Sequence, residues 1–182
     1  MIDHDFPRDL VMTAAIFGVA AFIWSGWAQE KPPHWVWRVV LAVLSLTGIA
    51  MAAINIPIAI RAWDTATAID FGGSAWTAYL VVFAIEIVAI IGLAIWAAYA
   101  RRTDQFAPLV LAVVGIHFIP LAFVFGQVII GVVGVVLAFI AVLAALLPVE
   151  RVARSFWCGI LAAPVLLIAG AVCAVAGRDA LV

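Results

Sequence analysis

The chain has 182 residues, 69% of them hydrophobic and 10% charged, where a soluble domain is roughly half apolar and a quarter charged. The excess of apolar residues belongs in lipid, so a water-soluble domain is excluded. The formal net charge of −1 leaves no basic field for a nucleic acid, and that class of partner is excluded too.

A hydrocarbon core ~30 Å thick takes about 20 apolar residues per helix. Six runs qualify, and the predicted fold is all-α: a polytopic integral membrane protein with six transmembrane helices in one domain, residues 1–182. The first run, 10–28, follows an acidic N-terminus without the basic region of a cleavable signal peptide, and none is expected. Ala14, Gly18, Ala21 and Ser25 form a stripe of small residues on one face of that run. Such stripes let helix backbones approach closely; this one packs internally or docks a second copy or a partner subunit. The second run, 36–60, holds Ser45 and Thr47 near mid-membrane, then Asn55 and Pro57. Pro57 cannot donate to the carbonyl of Ala53 and kinks the helix there. The longest connection, Arg61 to Ser74, reads as a solvated connector, with a surface lid as the alternative.

The third run, 76–99, carries Glu86 at its middle, and the fourth, 107–125, carries His117 at its middle. Pro120 lies three residues past His117; it kinks that helix and frees the carbonyl of Ile116. The fourth run and the fifth, 128–148, belong to one uncharged stretch from Ala107 to Val149. It must fold back, and Gly126-Gln127 is the turn-like punctuation near its middle. The sixth run, 156–176, holds both cysteines, Cys158 and Cys173. On one helix they stand about 22 Å apart and cannot bridge each other.

Orientation follows from the basic residues of the short loops. Lys31, Arg38, Arg101, Arg102, Arg151 and Arg154 share one side; Arg8, Arg61 and Arg178 share the other, with Asp3, Asp5, Asp9, Asp64, Asp70 and Asp179. Both termini are therefore expected outside the cytoplasmic membrane. Trp24, Trp27, Trp35, Trp37, Trp96 and Trp157 cluster at the expected inner interface, and Trp63 and Trp76 at the outer one. Tryptophan prefers the headgroup zone, so these rings read as anchors.

An ionisable side chain at mid-membrane costs ~2.5–3.5 kcal/mol even on lenient scales and marks a functional site by default. At a rise of ~1.5 Å per residue, Glu86 and His117 each lie ~15 Å deep, counted from opposite faces. They sit at one level on neighbouring antiparallel helices and titrate as a coupled pair. With Ser45, Thr47 and the freed Ile116 carbonyl they can line one small polar cavity; Asn55 is a further candidate. Such a cavity suits a transporter or a solute-binding subunit for a small solute, an ion or a proton. Two other readings stay open: an intramembrane acid–base enzyme acting on a lipid or isoprenoid, and a pair that only locks two helices. HExxH and GxSxG motifs are absent, as is a glycine-rich phosphate loop. No lysine lies within a run for a Schiff base, and His117 is the single histidine inside the membrane. No metal site and no cofactor is expected.

The segment Gly115-Ile116-His117-Phe118-Ile119-Pro120-Leu121-Ala122 resembles a G-x-H-F-x-P-L-A segment of small uncharacterised bacterial multi-pass membrane proteins, a resemblance that implies no known activity. Length, six spans and the small-residue stripe also resemble the substrate-binding subunits of energy-coupling-factor vitamin transporters. The Ala-x-x-x-Ala docking pattern of that family would be Ala14-x-x-x-Gly18 here, a departure.

Overall fold

The computed structural model describes residues 4–69, 71–148 and 150–181; Asp3 and Asp70, counted in the charge balance, and Val149, at the end of the uncharged stretch, lie outside them. Six long helices account for the fold, and the described residues contain no strand. They are α1 (Pro7–Trp27), α2 (Trp35–Arg61), α3 (Ser74–Tyr99), α4 (Phe106–Val124), α5 (Val128–Leu146) and α6 (Arg154–Asp179). Each is long and apolar enough to cross a membrane. The protein is a membrane protein built as a helix bundle.

Helix limits follow from local chemistry. Pro7 opens α1, where its missing N–H costs nothing. The His34 imidazole caps α2 by accepting the Val36 N–H at 3.3 Å. Arg61 and Arg178 close α2 and α6, where positive charge suits the helix dipole. The long uncharged stretch turns at Phe125–Gln127, with Gly126 at φ 64°, a left-handed conformation that glycine adopts without strain.

Small residues decide which helices meet. A Cβ on Gly18 of α1 would stand 2.7 Å from the Gly48 carbonyl of α2. A Cβ on Gly115 of α4 would stand 2.7 Å from the Gly134 carbonyl of α5. Only glycine allows either crossing. Gly159, Gly170 and Gly177 of α6 likewise lie against Trp24, Phe17 and Leu10 of α1. The bundle is thus built from the close pairs α1–α2, α1–α6 and α4–α5, with α6 also touching α2, α4 and α5.

The stripe Ala14, Gly18, Ala21 and Ser25 is buried within the chain. Of the two expected roles, internal packing is the one observed: α1 is a central helix, and α2 and α6 use its small residues. Trp24 is a correction. It is 4% exposed and stacks on Trp27 at 5.4 Å, inside the core instead of at the interface. Both cysteines are buried and free.

Helix α3 is the outlier. Its single buried residue is Ala97, and among the long helices it packs substantially against α4 alone. Its N-terminal end is reached by the loop from α2, and that loop is fastened to α1. Asp9 accepts the Thr67 hydroxyl at 2.9 Å and the Ala68 N–H at 2.7 Å. Arg8 donates to the Trp63 carbonyl and lies over the Trp63 ring, 4.9 Å from its centre.

Candidate functional site

Between α1, α3, α4 and the 62–73 loop lies a cavity of about 550 Å³. Glu86 and His117 both line it. Glu86 is placed by the middle of α3. On α4, Val114, His117, Phe118 and Leu121 follow one another at helical spacing and face the same space. The Glu86 and His117 side chains are 13% and 14% exposed.

Their geometry is specific. His117 Nδ1 lies 3.2 Å from Glu86 Oε1, within ion-pair distance. Yet Nδ1 is buried without a hydrogen-bond partner of acceptable geometry. The N–H direction and the carboxylate are misaligned, so this is a close approach of two ionisable groups, not a formed hydrogen bond.

The other polar candidates fall elsewhere, and the single cavity expected from depth alone does not form. Ser45 faces α1, with its Oγ 2.7 Å from Ser25 Oγ. Thr47 is exposed on α2 and donates to the Val43 carbonyl at 2.8 Å. Asn55 is 2% exposed; it donates to Met51 O at 2.7 Å and accepts from Arg178 at 2.9 Å. The physical reason is lateral: α2 pairs with α1, on the far side from α3. Pro57 lies within α2 and Pro120 within α4, both on exposed faces. Ile116, whose carbonyl Pro120 frees, is 59% exposed and so turned from the cavity that His117 faces.

Residues that sequence reasoning passed over complete the site. Arg8, Asp9 and Thr13 of α1 line the part nearest the loop, with Trp63, Thr67, Ile69 and Phe71 of the loop itself. The connector is therefore a wall, not a solvated tether. Trp76, Tyr79 and Phe83 of α3 line the route from that wall to Glu86. Their spacing to Glu86, three then four then three residues, is the signal that would have exposed them. Trp63 and Trp76, expected as outer anchors, are cavity residues as well.

Chemically the site has an apolar, aromatic body and two polar stations. One is the Arg8–Asp9 pair, 3.5 Å apart and already bonded to the loop. The other is Glu86–His117 in mid-helix. Neither resembles a metal centre: no group of three or more histidine, cysteine, aspartate or glutamate side chains converges among the described residues. No protein family, no curated protein and no solved structure matches the chain.

Proposed function

We propose that this protein is a small membrane transporter or solute-binding membrane subunit of the bacterial cytoplasmic membrane, with both termini outside. The reading is carried by the cavity of about 550 Å³ that reaches Glu86 and His117. Pockets of a few hundred cubic ångströms, mostly apolar with a few polar groups, are the usual form of small-molecule sites. A buried carboxylate beside such a space is available to a ligand or a proton. A pair serving only to lock helices would be expected to close into an aligned hydrogen bond in dry packing, and this one does neither. An acid–base enzyme acting across the pair would need a gap of ~5–7 Å for its substrate and proton relay. The 3.2 Å approach leaves no such gap.

Access to Glu86 tests the proposal. Glu86→Cys will react with a small water-soluble methanethiosulfonate reagent, whereas the lipid-facing control Val88→Cys will react about tenfold more slowly or not at all, because a thiolate needs water to form. The buried native cysteines will stay silent. Equal silence of both engineered positions would show that no aqueous path reaches Glu86, and the proposal would fall.

A further inference from the structure

Along α3, Trp76, Tyr79, Phe83 and Glu86 occupy one face, and the rings stand in series. Phe71 of the loop lies 5.0 Å from Trp76, centre to centre. Trp76 stacks on Tyr79 at 5.7 Å with 14° between planes. Tyr79 stacks on Phe83 at 6.3 Å with 3° between planes. All of them line the cavity, and the series ends at the Glu86 carboxylate. Aromatic faces carry negative quadrupole density and attract cations, most strongly where water is excluded.

The charges around the cavity lean the same way. Four strongly ionisable side chains line it: Arg8, Asp9, Glu86 and His117. Asp9 is satisfied by the Thr67 hydroxyl, the Ala68 N–H and Arg8. Arg8 is engaged with Asp9, the Trp63 carbonyl and the Trp63 ring. Glu86 differs: its polar neighbour among the described residues is His117, and that ring does not aim its N–H at it. The carboxylate left to the cavity thus stands at the foot of a series of aromatic rings that line the same space. An anionic ligand would meet Glu86 with like charge. A neutral one would leave carboxylate oxygens dry and unpaired, which is costly.

We propose that the cavity takes an organic cation: an ammonium or quaternary ammonium group held at Glu86 and Phe83, with an apolar body lying among the rings of Tyr79, Trp76 and Phe71. The assignment rests on the reading of this cavity as a solute site and adds the chemical class of the solute. His117 then competes with the ligand for Glu86, so the two residues have opposite effects on binding.

The test is calorimetric titration of the full chain in lipid nanodiscs, with empty nanodiscs subtracted, using three matched probes: 4-phenylbutyltrimethylammonium, the corresponding alcohol and the corresponding carboxylate. The cation will bind about tenfold more tightly than the alcohol, and the carboxylate weakest. Glu86→Gln will abolish the preference while retaining the alcohol, and His117→Asn will keep or raise cation affinity. Phe83→Leu will lower cation affinity about fivefold with less effect on the alcohol, and it decides the matter should Glu86→Gln fail to fold. Equal binding of cation and alcohol, strongest binding of the carboxylate, a preference that survives Glu86→Gln, or a preference that Phe83→Leu leaves at its full size would overturn the cation assignment while the solute site stands. Silence of all three probes would overturn both.

Discussion

Asp9 gathers a loop to a helix with two separate donors, the Thr67 hydroxyl and the Ala68 N–H. Asp9→Ala strips the partners from the Thr67 hydroxyl and the Ala68 N–H, a cost of ~1–3 kcal/mol for donors left unsatisfied. The expected outcome is local: faster hydrogen exchange at Ala68 and neighbouring loop amides, with α4 and α5 unchanged. Uniform exchange across both regions would deny Asp9 this role. Residue by residue, the sequence exposed some of this site and hid the rest. Glu86 and His117 stand out because lipid penalises charge, whatever the fold. Tyr79 and Phe83 stay hidden because an aromatic ring on a membrane helix is equally suited to lipid and to a cavity wall. Thr67 and Ile69 are legible only once Asp9 is seen to reach across nearly sixty positions of chain to the loop.

Depth along a helix is a one-dimensional quantity, and it transferred from sequence to structure well: Glu86 and His117 do meet. Azimuth and partner choice are two-dimensional, and Ser45 and Thr47 show the difference. By residue count they share a depth with Glu86, but they sit on a helix that Gly18 and Gly48 bind to α1. The same glycine chemistry makes a sharp prediction. At the second crossing, Gly115→Leu drives a side chain into the Gly134 carbonyl and the Ala138 backbone, whose nitrogen would lie 2.6 Å from the new Cβ. The helices must separate, with a loss of several kcal/mol of dispersion contact, about the cost of a severe core lesion. Thermal unfolding in detergent will fall accordingly. Gly92→Ala on α3 meets nothing within 4 Å and will not lower the transition, since alanine suits a helix interior better than glycine. A similar loss in both variants would mean that glycine content, not the crossing, sets stability.

The ends of the bundle differ in polar chemistry, and that difference gives the whole molecule a direction to test. At one end Lys31 donates to the Glu150 carbonyl at 3.1 Å, Ser155 to Glu30 at 2.6 Å, and Arg154 pairs with Asp104. At the other lie the Arg8–Asp9 cluster and the Arg178–Asn55 bond. Ala66 is exposed on the loop at that second end, and Arg102 is exposed at the first. With the positively charged loops inward, an impermeant maleimide will label Ala66→Cys in intact cells and leave Arg102→Cys unlabelled until the membrane is broken. The reverse pattern would invert the protein. Beyond orientation, one packing fact shapes what the cavity can recognise. Three of its walls belong to tightly interlocked parts of the bundle or to a pinned loop, while α3 is secured along a single edge, by α4. A container with one yielding side cannot measure the bulk of its contents closely. On the proposed reading, ligands of different girth are expected to bind with similar affinity, distinguished by the charge they bring to Glu86. Selectivity by electrostatics with tolerance of shape is what that reading expects of a cavity walled by a half-attached helix.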